Sequence, residues 1–354
     1  MILKRIQLHN FRNIASRIFD ISPHLTIILG ENAKGKTNIL ESIHCLINGV
    51  GFRESKEEEL LLMDSSETQI DGLFEKDTDN NHFRIFLKKE STGSIIKHYF
   101  VQKAKKGHAF YISEQTKCVL FAPEQIDIIT SSPDIRREYF NKLISTFDIA
   151  YKKRLINYEQ ALRKRNKLLE HSLSMEKLKE ELLFWDVYLE KEAQYITEKR
   201  KQYTQFLNSH SQLDGRQFTI EYIQNAFTQE RLAEKRELEL RIRRTLIGPQ
   251  KDDWIISLKN KNTLQKNIQK YGSRSEQRLG VFWLKMNEIH FMEEEIKIHP
   301  ILLLDDVFSE FDHENKERII RLIKTYQTVM TTTEEELVKE IVKNNRESIV
   351  VNIK

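Results

Sequence analysis

The chain has 354 residues, which favours two lobes over one simple core. Its formal net charge of +4 is small for that length, so bulk charge does not argue for a nucleic-acid partner and local patches must carry any such case. No apolar run is long enough to span a bilayer, the opening Met1-Ile2-Leu3-Lys4-Arg5 lacks a signal-peptide pattern, and the two cysteines, Cys45 and Cys118, sit in apolar surroundings. These features predict a cytoplasmic protein with reduced core cysteines and no membrane contact.

In chain order, Ile6 and Leu8 alternate with polar residues and predict a strand that runs into Phe11-Arg12-Asn13. Leu25-Thr26-Ile27-Ile28-Leu29 predicts a buried strand. Directly after it, Gly30-Glu31-Asn32-Ala33-Lys34-Gly35-Lys36-Thr37 fits G-x-x-x-x-G-K-[ST], a phosphate-binding loop. Glycines let the backbone N–H groups come close to phosphates, Lys36 would reach the β/γ-phosphates of ATP, and Thr37 would put its hydroxyl on Mg²⁺. Ile39, Leu40, Ile43, Leu46 and Ile47 share one face of a following helix, whose positive end would point at the phosphates.

Further along, Phe83 to Leu87 and Ile95 to Val101 flank Ser91-Thr92-Gly93-Ser94 and predict a hairpin. A short apolar run ends at Phe121-Ala122-Pro123. From about Pro133 to Leu207 the sequence is charged, helical in period and free of glycine. Tyr151, Leu155, Tyr158, Leu162 and Leu169 mark one helix, and Leu178, Leu182, Trp185 and Leu189 a second, with a connection over Glu170 to Met175. Both stripes read as packing faces. Mixed character returns after about Phe218, with strands predicted at Trp254 to Leu258 and Ile301 to Leu304.

Ile301-Leu302-Leu303-Leu304-Asp305-Asp306 has the form of a Walker B strand. Asp305 would hold Mg²⁺ and Asp306 would orient the attacking water. More than two hundred residues separate this strand from the phosphate loop, and a helical insertion fills the middle of the gap. In compact P-loop kinases the two halves lie much closer, so a kinase is disfavoured. The two halves must therefore meet around an inserted arm, an arrangement that resembles the SMC/Rad50-like ATPases and implies an α/β P-loop ATPase head of ABC/SMC type formed by both chain ends around an inserted helical lobe. Long heptad repeats are missing from the insertion, so no long coiled coil is expected. The predicted boundaries are 1–132 and 216–354 for the ATPase lobe and 133–215 for the insertion.

The chain resembles the RecF family of bacterial DNA replication and repair ATPases over nearly its whole length. The resemblance is carried by Asn10-Phe11-Arg12-Asn13, Gly30 to Asn38, Gly51-Phe52-Arg53, Phe121-Ala122-Pro123-Glu124, Pro133 to Arg137, Arg165 to Leu169 and Leu303 to Asp312. Gly248-Pro249-Gln250-Lys251-Asp252-Asp253 is similar to a family element in which His and Arg stand at the third and fourth places. Ser273-Arg274-Ser275-Glu276-Gln277-Arg278 aligns with the signature S-x-G-x-x-R, with Ser275 in place of glycine. The resemblance implies that Ser273 touches the γ-phosphate held by a second copy, so that ATP drives homodimerisation. The same residues also read as an ordinary capped helix start.

The resemblance further implies binding of DNA at single-strand/double-strand junctions without sequence preference, slow hydrolysis, and RecR, RecO and the RecA system as partners. Candidate DNA contacts are the basic clusters Lys103 to Lys106, Arg136-Arg137, Lys152-Lys153-Arg154 and Arg163 to Lys167. Arg12 could touch nucleotide or DNA, or pair with a core carboxylate. Gln125 falls near the expected place of a metal-sensing glutamine, although an exposed loop residue is the simpler reading. An SMC-like structural clamp is the alternative function. A nuclease-bearing ATPase is disfavoured because only 48 residues follow Asp306.

Overall fold

Alternation at the start of the chain is realised in β1 (Ile2–Phe11), which buries Leu3, Ile6, Leu8 and Phe11. A register shift between Leu3 and Arg5 lets Leu3 and Ile6 face the same core despite their odd spacing. The computed structural model describes residues 1–54, 56–77, 79–170, 175–213, 215–259, 264–309, 313–344 and 347–353. The middle of the expected Glu170–Met175 connection and the expected Glu310-Phe311-Asp312 segment lie outside the described residues.

The chain continues through β2 (Ile14–Asp20), β3 (Leu25–Gly30), α1 (Lys36–Asn48), β4 (Glu67–Lys76), β5 (Asp79–Lys89), β6 (Ile95–Val101), β7 (Ala104–Lys106), α2 (His108–Glu114) and β8 (Cys118–Phe121). A helical stretch follows: α3 (Asp127–Thr130), α4 (Pro133–Phe147), α5 (Ile149–Glu170) and α6 (Met175–Ser209). Then come β9 (Gln212–Leu213), β10 (Arg216–Ile223), α7 (Gln229–Ile242), β11 (Asp253–Lys259), β12 (Lys266–Asn267), α8 (Ile268–Tyr271) and α9 (Arg274–Glu294). The chain ends with β13 (Ile301–Asp305), α10 (His313–Thr325), β14 (Thr328–Thr332), α11 (Glu335–Asn344) and β15 (Ser348–Ile353).

Two units result. The first is Met1–Gln125 with Glu288–Lys354, and the second is Ile126–Asn287. The first unit holds an antiparallel sheet of order β2-β1-β4-β5-β6-β7 and a parallel sheet of order β15-β3-β14-β13-β8. Every residue of β13 and β14 is buried, as expected for strands covered on both faces. Helix α1 touches strands of both sheets and buries Ile39, Leu40, Ile43, Leu46 and Ile47 in one continuous core with Leu3, Ile6, Phe74 and Leu303. The predicted hairpin is the β5–β6 pair, closed by Gly93 N donating to Glu90 O at 2.9 Å. Cys45 and Cys118 are both buried and not joined in a disulfide, and Asn48 Nδ2 donates to Cys118 Sγ at 3.2 Å.

The second unit also takes in residues 216–287, which the change in sequence character alone assigns to the ATPase lobe. Its sheet, of order β12-β11-β10-β9, explains this: β10 packs on α6, the longest helix of the unit at 35 residues. Two fully buried guanidiniums, Arg165 and Arg200, tie the helices of this unit to one another and to the loops before β11. Arg200 donates to Asp252 Oδ2 (2.5 Å), Pro249 O (2.8 Å) and Asn141 Oδ1 (2.8 Å). Both are paired with carboxylates, the only economical way to bury such a charge. Among the described residues no helix is long and apolar enough to cross a membrane.

Candidate nucleotide site

The loop between β3 and α1 is shaped by two close approaches. Gly35 sits at φ +93° as the N-cap of α1, and a Cβ there would lie 2.7 Å from Asn13 Nδ2. A Cβ on Gly30 would lie 2.7 Å from Ile353 O on the neighbouring strand β15. A side chain at either place would be strained or crowded. Ala33 also takes a left-handed φ of +65°. No side chain caps α1, so its first N–H groups and its dipole face the loop. Lys36 is 7% exposed, and its Nζ donates to Gly30 O and Glu31 O, both at 2.8 Å. Glu31, Asn32, Ala33 and Lys34 form the exposed crest of the loop.

The acidic strand meets this loop directly. Thr37 Oγ1 donates to Asp305 Oδ1 at 2.9 Å across a separation of 268 residues. Thr331 Oγ1 donates to the same oxygen at 2.8 Å and accepts from Asp306 N at 3.0 Å. Strand order accounts for this third partner: β14, which carries Thr331, lies between β3 and β13, with Thr331 opposite Asp305. Nothing local in the sequence marks Thr331 as a bridge between the two halves.

Asp305 is 5% exposed, and burial pushes its carboxyl above the ordinary range. The Thr331 and Thr37 hydroxyls offset part of that cost, while nearby Glu124 adds to it. A carboxylate in this condition suits a bound divalent cation. Asp306 takes φ +47°, an uncommon conformation for a residue with a side chain and one that concentrates at functional sites. Gln125 is half-buried rather than exposed, and its Oε1 accepts from Ala122 N at 3.2 Å within its own turn.

Arg12 pairs with a core carboxylate. It takes φ +53° and grips Glu41 with both arms, Nε to Oε2 at 2.9 Å and Nη2 to Oε1 at 2.8 Å. Glu41 is fully buried one turn beyond the loop, and it also accepts from Arg53 N at 3.0 Å and Arg53 Nη2 at 3.1 Å. Burial would raise the Glu41 carboxyl, but the Arg12 and Arg53 guanidiniums outweigh it and hold it below the ordinary range. Arg12, Arg53, Asn13 and Asn38 line a cavity of about 510 Å³ beside the loop. Arg53, Asn38 and Glu41 are not separable from the surrounding motifs by spacing alone. Glu41 in particular reads as one polar position on a helix face.

Ser273 and Glu276 form a reciprocal cap at the start of α9. Ser273 N donates to Glu276 Oε2 at 2.8 Å, and Glu276 N donates to Ser273 Oγ at 3.3 Å. Lys266 Nζ holds Glu276 Oε1 at 2.8 Å. Ser273, Arg274 and Ser275 are exposed.

The basic clusters divide. Arg136 is buried on Asp253 (2.6 and 3.1 Å), and Arg137 donates to Asp252 O at 2.6 Å, so that pair serves the fold. Arg165 is likewise fully buried. Arg154 faces Glu192 at 3.5 Å and lies over the Tyr195 ring. Lys103, Lys105, Lys152, Lys153, Arg163, Lys164 and Lys167 remain exposed. Arginine takes these buried roles because its planar fork matches carboxylates and carbonyls, which charge counting along a sequence does not register.

The sequence profile of the RecF/RecN/SMC N terminal domain matches residues 2–351. A relative from Lachnospira eligens, named DNA replication and repair protein RecF, is 33% identical over 349 residues, covering 94% of this chain and 93% of its own length. One of the same name from Agathobacter rectalis is 30% identical over 344 residues, covering 94% and 92%. A solved structure of the recombination mediator protein RecF with ATP, described within the RecFOR pathway, matches with TM-score 0.82 at 28% identity over 94% of this chain and 92% of that one. The Smc head domain of Pyrococcus furiosus, solved with an extended coiled coil and the C-terminal domain of ScpA, shares the fold at TM-score 0.53 and 17% identity, over 100% and 94%.

Proposed function

The chain belongs to the RecF family, within the RecF/RecN/SMC N-terminal domain group, and from that premise we propose that it is an ATP-dependent DNA-binding protein of recombinational repair and replication-fork maintenance. The observation that carries this reading is the Thr37–Asp305 hydrogen bond, which joins the two sequence-distant halves of a nucleotide site. The names of its relatives supply the repair setting.

In this reading the backbone N–H groups of Gly30 to Thr37 cradle the phosphates of ATP. Lys36 moves its ammonium from the Gly30 and Glu31 carbonyls to phosphate oxygens. Thr37 and Asp305 are the residues that would hold Mg²⁺, which when bound neutralises charge on the β- and γ-phosphate oxygens. Asp306, whose backbone N–H donates to Thr331 Oγ1, would orient the attacking water. Glu41 fixes Arg12 and Arg53 at the cavity wall, where their remaining N–H groups face the nucleotide. Ser273 of one copy completes the site of a second, so ATP favours a homodimer and hydrolysis weakens it. Only the dimer engages gapped or junction DNA, with RecR, RecO and the RecA system as downstream partners.

The reading is tested by nucleotide binding and turnover in wild type, Lys36→Ala and Asp306→Asn. Lys36→Ala should bind ATP at least about tenfold more weakly, because it removes a charge-assisted contact to phosphate. Asp306→Asn should keep ATP affinity and lose turnover. Hydrolysis by Asp306→Asn at the wild-type rate would remove Asp306 from the chemistry.

A further inference from the structure

A buried network in the second unit fixes two basic segments beside each other. Arg165 on α5 donates through Nε to Asp186 Oδ1 (2.8 Å), through Nη2 to Glu239 Oε2 (2.6 Å) and through Nη1 to Thr245 Oγ1 (2.7 Å). The adjacent Asn166 Oδ1 accepts from Thr245 N at 2.9 Å and Thr245 Oγ1 at 2.7 Å. Arg236 Nη2 donates to Asp186 Oδ2 at 2.5 Å. Two guanidiniums therefore balance two carboxylates, and the network is neutral. It anchors the α5 segment to the turn after α7 without drawing on the charges outside.

Those outer charges are strongly one-sided. Over residues 163–170 and 237–244 the exposed cations are Arg163, Lys164, Lys167, Arg241, Arg243 and Arg244, and the exposed carboxylates are Glu170 and Glu237. Arg243 Nη1 lies 3.5 Å from Glu170 O, which brings the end of α7 to the end of α5. Arg243 is also the C-cap of α7 at φ +59°, donating its N–H to Glu239 O. Glycine is the usual occupant of that left-handed cap. An arginine there keeps backbone strain for the sake of its side chain.

We propose that this face, built on the Arg165–Thr245 anchor, binds the phosphate backbone of DNA. The inference rests on the DNA-binding reading above and gives it a place in the second unit. A phosphate backbone asks only for cations with several donors, which four arginines supply. Within these two segments Ile242 is the one exposed large apolar side chain among the described residues, while Leu183, Phe184 and Val187 lie exposed on α6 around Asp186, so the assignment to phosphate rests on the arginines and their fixed placement.

The test is fluorescence anisotropy of a labelled gapped duplex with ATP present, over a salt series. It compares wild type with the triple variant Arg163→Ala, Arg243→Gly, Arg244→Ala, alongside binding of a fluorescent ATP analogue and thermal unfolding. The proposal expects at least about tenfold weaker DNA binding and a salt slope shallower by about 3, one unit for each lost phosphate contact. ATP-analogue affinity should be unchanged. The single variant Arg243→Gly should unfold at the same or a higher temperature while binding DNA more weakly, a combination that a merely structural arginine would not give. Wild-type DNA binding with an unaltered affinity and slope in the triple variant would overturn this site and leave the functional reading standing. Wild type that fails to bind DNA with ATP at any salt would overturn both. Loss of binding to labelled polyglutamate, with DNA binding intact, would reassign the face to an acidic protein.

Discussion

Asp305 and Glu41 show opposite ways of burying a carboxylate in one site. Glu41 has two guanidiniums, so its folded-state pKa lies below the ordinary 4.5. Its stabilisation is present above that value and is lost as pH falls through the folded pKa. Glu41→Gln removes the buried carboxylate that Arg12 and Arg53 share, leaving Arg12 only the more distant Glu59 at 3.9 Å, and should cost about 3–5 kcal/mol in urea unfolding at pH 7. The gap between variant and wild type should narrow as pH drops below 4.5. Burial pushes the Asp305 carboxyl above the ordinary 3.8, and the Thr331 and Thr37 hydroxyls offset only part of that rise. A raised carboxylate favours folding below its unfolded pKa, and that contribution is lost as pH rises through the folded pKa. At neutral pH Asp305 therefore weakens the nucleotide-free fold. Asp305→Asn should melt at an equal or higher temperature without nucleotide while losing the stabilisation that ATP and Mg²⁺ give wild type. A lower melting temperature without nucleotide would mean that the carboxylate is held by something other than the two hydroxyls.

Among the elements, those with a strong local signal were legible in the sequence. The P-loop, the face of α1, the β5–β6 hairpin and the buried β13 follow from glycine placement and apolar periodicity. What was not legible depended on strand order. Thr331 acquires its bridging role only because β14 inserts between β3 and β13. Arg136 and Arg165 look like surface charge in sequence and become core because acids from distant elements, Asp253, Asp186 and Glu239, converge on them. The loop geometry itself is testable. Gly35→Ala places a Cβ in a left-handed backbone and against Asn13, which should cost about 1–2 kcal/mol in unfolding and weaken ATP binding further. Leu303→Ala, in the middle of the strand that carries Asp305, should cost about 2–5 kcal/mol by opening a cavity in the sheet core. Chemical denaturation reads both, and a Gly35→Ala protein with wild-type stability and ATP affinity would show that the loop is free to relax.

At the scale of the whole molecule, the first unit draws on both ends of the chain, and the intervening residues fold as a unit of their own. The long gap between loop and acid predicted an insertion. Its end at Asn287 rather than near 215 escaped composition, because the β10–β11 pair resembles head strands in sequence yet packs on α6. The proposed function adds a second copy and DNA to this picture, and Ser275 stands where the resemblance leads one to expect a glycine. Light scattering combined with anisotropy on gapped DNA tests the central claim most directly, using ATP, ADP and no nucleotide with wild type and Lys36→Ala. The account predicts that ATP alone converts wild type from monomer to dimer and induces DNA binding, and that Lys36→Ala does neither. A wild-type protein that stays monomeric with ATP, or binds DNA equally well in all three conditions, would contradict it.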